Sequence, residues 1–231
     1  MSGKQLIVLT VPHYVCDDGI EHPCDNYAAK LAETITDSIK SNSRDIVIQY
    51  GDIPRKITDL NRNKYSSISS NFRRKIRNLI EEKIKSIQIN QVNQVNHEEI
   101  IYLIDCHSFP GKSFANVRFE NPDVSILMAD CRQLTLVEEL TDSLKEKGIK
   151  ATKHLGKGNS IIEEFYFPDK TDGTQRAPIP ERTQRAPIPE RTRIIPILIE
   201  ANENEDYNMK IVAECVNVWI EKINKFVSNS N

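Results

Sequence analysis

The chain has no run approaching the ~20 consecutive apolar residues that cross a bilayer, and its 231 residues carry a net charge of only −2. The first absence argues against a membrane-spanning helix, and the second leaves no global field to draw nucleic acid or an anionic membrane. The stretch MSGKQLIVLTVPH has a lysine and a short apolar run but no small-residue cleavage site after it, which predicts a first β-strand rather than a signal peptide. No C-x-x-C pair occurs among Cys16, Cys24, Cys106, Cys131 and Cys215, so reduced thiols in a cytoplasmic setting are expected. Nucleotide and nucleophile signatures are missing too. No G-x-G-x-x-G follows a predicted strand, and Gly111-Lys112-Ser113 has Cys106 where a phosphate loop needs its first glycine. Ser108 lies between His107 and Phe109, not between the glycines of a nucleophile elbow.

What is present is an ordinary globular composition, 39% apolar and 28% charged. The length fits one large α/β domain over residues 1–231. Strand-like runs at 5–11, 45–50, 100–106, 124–129, 149–154 and 193–201 alternate with segments of helical period at 24–41, 68–87, 133–147 and 208–226. Asp25 is placed to cap the first helix and Gly148 to end the third. Pro196 predicts an edge strand or a bulge. The run Arg73-Arg74-Lys75-Ile76-Arg77, followed by Glu81-Glu82, reads as a solvated helix face. Strand alternating with helix predicts a three-layer α/β/α architecture around a twisted, mixed but largely parallel sheet, with functional groups beyond the carboxyl ends of strands.

Two segments stand apart. QINQVNQVNHEE (88–99), which contains His97, reads as a polar surface loop. Residues 157–193 read as an irregular loop insertion, because TQRAPIPER occurs there twice in succession and its prolines preclude regular helix.

Polar groups gather where the predicted strands end. The first strand closes with Val11-Pro12-His13, the third with Asp105-Cys106-His107-Ser108, and the last with Glu200. Two imidazoles and a carboxylate at three carboxyl ends of one sheet would converge, as a hydrolytic zinc site requires. Polar residues that merely close a buried strand are an alternative reading of each. A Cys106–His107 nucleophile pair is a third, opposed by geometry, since adjacent residues on a strand face opposite ways. Asp105 and His107 should then share a face, with Cys106 packed behind. His154 ends a strand and would line the same rim, and His22 falls in a predicted turn.

The ordered set V-P-H (11–13), CDNYAAKLA around Asp25, D-L-N-R (59–62), D-x-H-S (105–108), TKHLG (152–156) and ILIEANE around Glu200 resembles the N-formylglutamate amidohydrolase (deformylase) family. That family is related to zinc carboxypeptidases and aspartoacylase. The resemblance implies the same hydrolase fold and a zinc ion, or another divalent metal, held by His13, His107 and an acid. Asp25 matches that acid better than Asp17 or Asp18. Glu200 then matches the general base, Asn61 and Arg62 the pair that holds a substrate carboxylate, and Asp105 an acceptor orienting His107. Arg118 is a further candidate for substrate contact. The implied activity is hydrolysis of the amide bond of a small N-acyl amino acid. A carboxypeptidase-like peptidase and a non-catalytic ligand-binding relative are the alternatives. The sequence departs from the family in Tyr14-Val15-Cys16 after the first P-H and in the 157–193 region.

Overall fold

The computed structural model describes residues 5–16, 24–39, 44–62, 66–90, 99–109, 122–156, 160–166, 192–203 and 207–229. In chain order the elements are β1 (Leu6–Val11), α1 (Asn26–Ile39), β2 (Asp45–Tyr50), α2 (Ser67–Asn90), β3 (Glu99–Phe109) and β4 (Val124–Met128). A 3-10 turn (Cys131–Gln133) leads into α3 (Leu134–Glu146), followed by β5 (Ala151–Leu155), α4 (Ser160–Tyr166), β6 (Thr192–Asn202) and α5 (Met209–Asn229). The strands form one sheet in the order β2-β1-β3-β6-β4-β5. Strands β2, β1, β3 and β6 run parallel, β4 is antiparallel to β6, and β5 is parallel to β4. This is the mixed, mostly parallel α/β sheet that the alternating pattern predicts.

Strand alternation divides the core between the two faces. Ile7, Leu9, Tyr102, Ile104, Ile197 and Ile199 pack with Leu31 and Ile35 of α1, Leu140 of α3, and Val216 and Trp219 of α5. On the other face Leu6, Val8, Ile101 and Leu103 meet Phe72, Ile76 and Ile80 of α2 and Ile161 and Phe165 of α4. Each such side chain contributes about 1.5–3 kcal/mol when fully buried, so the helix faces chosen by apolar period are also those the sheet holds. Helix α3 ends as its glycine predicts. Gly148 has φ +83°, its N–H donates to Lys145 O, and Ile149 N–H donates to Leu144 O. Ile149 and Leu144 are both buried in the core, completing the Schellman motif.

Several expectations are corrected. Helix α4 lies inside the stretch predicted as irregular loop, because Ile161, Ile162 and Phe165 give it a buried face; the duplicated TQRAPIPER lies outside the described residues. Pro196 is on an interior strand, but it falls one residue beyond the β4 ladder, which ends at Met128↔Ile197. Its carbonyl accepts from Gln133 Nε2 at 2.8 Å, so its peptide groups face away from β3 and the missing N–H breaks no ladder bond. The basic run on α2 is not wholly solvated. Arg73 is buried and pairs with Glu164 of α4 at 2.7 Å, as does Arg77, whereas Arg74 and Lys75 stay exposed.

The cysteines depart most from expectation. Cys16 and Cys24 are joined in a disulfide, and Cys106, Cys131 and Cys215 are free. Disulfides persist mainly in oxidising compartments, so the reduced-thiol premise behind a cytoplasmic setting fails for this pair. Among the described residues no helix is long and apolar enough to cross a membrane.

Candidate metal centre

The site is built where β1, β3 and β6 present their carboxyl ends. Residues of β3 alternate as strand geometry requires. Cys106 points into the α1/α5 core, while Asp105 and His107 face the α2 side together. In the parallel register Thr10 lies opposite Asp105, and His107 lies opposite Glu200. Neighbouring strands are only ~4.8 Å apart, so alternation and register place Thr10, Asp105, His107 and Glu200 on one patch.

Two connections complete it. Immediately after β1, His13 is buried, and its carbonyl accepts the N–H of Asp25 at 3.1 Å. Asp25 holds the N-cap position of α1, its carbonyl accepting from Ala28 N–H. Its carboxylate does not cap the helix but turns to His13, His107 and Arg55. Ser108 Oγ, from the end of β3, accepts the Tyr27 N–H instead at 3.2 Å. The second connection follows β2. Gly51 lies so close to β1 that a Cβ there would fall 2.0 Å from Pro12 O, and its N–H donates to Val11 O. Only glycine permits that approach, and the chain is thereby laid along the site, bringing Arg55, Asp59 and Asn61 to it.

The geometry at the centre is repeated for the two histidines. His13 Nδ1 lies 3.2 Å and His107 Nδ1 2.9 Å from the same atom, Asp25 Oδ2. The opposite ring edges face other carboxylates: His13 Nε2 is 3.0 Å from Asp59 Oδ1, and His107 Nε2 is 3.0 Å from Asp105 Oδ2. Asp59 Oδ1 also accepts the N–H groups of Asn61 and Arg62, and Asp105 Oδ1 accepts the Thr10 hydroxyl at 2.5 Å. Carboxylates behind the outer nitrogen of ligating histidines fix ring orientation and raise basicity, the usual support of a metal centre.

Electrostatics follow from this crowding. Burial pushes the Asp25 carboxyl up, but hydrogen bonds and charge from His107 and His13 override it and hold the group well below the usual carboxylate range. Asp59 is likewise held low, with burial opposed by His13, the Arg62 N–H and Arg55. Burial disfavours a charged His107, yet Asp105 and Asp25 raise its pKa well above the ordinary imidazole value. Glu200 is pushed up, chiefly by burial, with Asp25 and Asp105 adding to the rise and His107 and Arg62 opposing it.

His13, Asp25 and His107, all buried, offer donor atoms within 4.8 Å of one another. With Asp59, Asp105 and Glu200 around them, four carboxyl groups surround two imidazoles. Two imidazole nitrogens with one carboxylate oxygen suit a divalent transition metal. The donor set therefore fits a bound metal.

Of the remaining predicted residues, Asn61 is buried with its amide 2.9 Å from His107 Nε2. Arg62 is exposed, its charge reaching Glu200. Arg118, Asp17, Asp18, His22 and His97 lie outside the described residues. His154 is not at this rim: it pairs across β4 with the level of Leu198 and Asp105, three strand spacings or roughly 14 Å from β3. Sequence reasoning missed the parts played by Asp59, Arg55, Thr10 and Ser108. Asp59 sat inside the D-L-N-R match, and Thr10 follows once β1 is paired with β3, but nothing in the sequence marks Arg55.

No family model matches the chain, and no curated protein matches it. Among solved structures, a gene product of Agrobacterium tumefaciens superposes with a TM-score of 0.56 at 11% identity, over 99% of this chain and 90% of that one. An N-formylglutamate amidohydrolase from Ralstonia eutropha JMP134 gives a TM-score of 0.56 at 12% identity, over 99% and 96% of the two chains. At such identity the likeness is one of architecture, and the chain has the mixed-sheet α/β fold of these proteins.

Proposed function

We propose that this chain is a metal-dependent hydrolase that cleaves the amide bond of a small N-acyl amino acid, N-formyl substrates among them. The observation that carries this reading is the buried His13–Asp25–His107 donor cluster with Glu200 directly opposite His107 on the next strand. His13, Asp25 and His107 hold the metal, for which zinc is the best match to the donors. When bound, such an ion lowers the pKa of water and polarises an acyl carbonyl.

The protein's own groups supply the rest. Glu200, whose carboxyl burial pushes up, accepts a proton from the attacking water and delivers it to the departing amine nitrogen. The products are a carboxylate and a protonated amine. Asp105 and Asp59 hold the two imidazoles in orientation. Arg62, exposed beside Glu200, anchors the substrate's free carboxylate through its planar guanidinium, with Asn61 alongside. The resemblance in the ordered motifs and the fold shared with an N-formylglutamate amidohydrolase support this choice of substrate class.

The test is metal analysis of the purified chain together with an amidase screen over N-formyl, N-acetyl and dipeptide substrates, with chelation and metal add-back. About one divalent ion per chain and chelator-sensitive release of an amine are expected. A chain that retains no metal after reconstitution and hydrolyses none of the panel would falsify the reading. Stoichiometric metal without turnover would leave a ligand-binding protein in place of an enzyme.

A further inference from the structure

The disulfide lies against the metal centre. Cys16 follows His13 by three residues, and Cys24 immediately precedes Asp25, so the bridge closes the connection between two of the three donor residues. The same connection is also tied by the Asp25 N–H to His13 O hydrogen bond and by the 3.2 Å contact of His13 Nδ1 with Asp25 Oδ2. The two residues also differ in exposure: Cys16 is exposed, whereas Cys24 is buried at 7% exposure.

We propose that Cys16 and Cys24 form a thiol–disulfide site that sets how tightly the His13–Asp25–His107 cluster holds a divalent metal. The proposal rests on the metal-centre reading above. Asp25 must stay beside both imidazoles for three donors to converge, and the bridge holds it there before any ion arrives. Pre-organisation of this kind raises affinity because binding no longer has to order the ligands. With the bridge opened, Asp25 is left to its hydrogen bonds with His13 and His107 and its ion pair with Arg55, of which the side-chain contacts rearrange when an ion binds, and part of the binding free energy is spent on ordering it.

The chemistry is two-electron exchange with a cellular dithiol. The dithiol's thiolate attacks the sulfur of the exposed Cys16, the S–S bond breaks, and Cys24 leaves as a thiolate that takes up a proton. The dithiol's second sulfur then displaces Cys16, which is also protonated. The protein gains two electrons and two protons, and the dithiol leaves as its own disulfide.

The full chain tests this. Thiol titration after denaturation should find three thiols in the air-oxidised protein and five after reduction. Zn2+ affinity is then measured by competition with a chromogenic chelator, for the oxidised chain and for chain reduced with a phosphine and desalted under nitrogen. The Cys16→Ser/Cys24→Ser double variant, checked for folding by circular dichroism, supplies a bridge-free site with no new thiols. Both bridge-free forms should bind about tenfold or more weakly, the order of loss that follows removal of a supporting group. The double variant should be indifferent to the phosphine. Five thiols in the oxidised chain, or unchanged or tighter binding in the bridge-free forms, would overturn the proposal alone. An oxidised, disulfide-bonded chain that binds Zn2+ no better than His107→Ala would overturn the metal centre and this proposal with it.

Discussion

His107 on β3 and His154 on β5 occupy the two halves of one sheet and sit in opposite circumstances. Both come near the carboxyl end of a strand, His107 in the eleven-residue β3 and His154 in the five-residue β5. In the half made of β2, β1, β3 and β6 all strands run the same way, so their carboxyl ends share one rim and His107 meets Asp25, Asp105 and Glu200 there. In the half made of β4 and β5 the direction is reversed, and the carboxyl ends point away from that rim. The electrostatics record the difference. Burial pushes the His154 pKa down, whereas Asp105 and Asp25 overcome burial and carry His107 well above its ordinary value. In this sheet the strand-end histidine that joins the cluster is the one flanked by β1 and β6, whose carboxyl ends share its rim; His154, on the edge strand β5, has no such neighbours.

The sharpest way to break this contrast is to remove each histidine in turn. His107→Ala should abolish stoichiometric metal binding and lower kcat/KM by about 10³-fold or more, since the metal's contribution to such a reaction is several kcal/mol. His154→Ala should leave both within about twofold. Equal losses in the two variants, measured by metal content and initial rates, would erase the distinction between the halves. A smaller effect is expected one layer out. Asp105→Asn keeps the size of the side chain but removes the charge behind His107, and should weaken metal binding about 10–100-fold. Unchanged affinity in a metal titration would show that Thr10 and Asp105 serve only the strand pairing.

Glu200 sharpens the comparison through stability. Its carboxyl has a folded-state pKa above the unfolded value, so between the two the native chain binds more protons than the unfolded one. Stability from this group is then lost as pH rises through that window. Metal-free Glu200→Gln should therefore melt higher than metal-free wild type at neutral pH, with the gap closing below the ordinary glutamate pKa. The same substitution should reduce turnover about 10²–10⁴-fold, the contribution typical of a general base. A variant that is inactive yet no more stable at pH 7 would mean that Glu200 is solvated in the free protein.

The parts of this molecule legible in its sequence are those governed by local period. Two-residue alternation gave the sorting of Asp105, Cys106 and His107, and three- and four-residue spacing gave the buried faces of α2 and α5. Helix α4 was equally legible in Ile161, Ile162 and Phe165, and was obscured by the proline-rich duplication after it. What sequence could not show depends on long-range arrangement. The reversal of β4 and β5 has no local signature, because a buried strand reads alike in either direction. Asp59 and Arg55 lie in a connection without periodicity, and they reach the site only because Gly51 lets the chain approach Pro12. The Cys16–Cys24 spacing fits no metal or redox motif, and the pairing follows from His13 and Asp25 being brought together.

The smallest expected effect falls on the residue nearest the site in sequence. Cys106 lies between Asp105 and His107, yet its sulfur faces the opposite side of β3 and is fully buried in the α1/α5 core. Its S–H contacts Ile104 O at 3.8 Å, a weak bond within its own strand. Burial and the adjacent Asp105 charge push the thiol pKa well above its ordinary value, so the nucleophilic thiolate is suppressed. Cys106→Ala should therefore cost about 1 kcal/mol of stability, from a small cavity, while kcat/KM and metal content stay within about twofold. Two substitutions on adjacent residues would then report on two faces of one strand: Cys106→Ala on packing and His107→Ala on chemistry. Loss of turnover in a folded Cys106→Ala variant with its metal intact would mean that the sulfur reaches the substrate, and would reverse the assignment of faces on which the whole site depends.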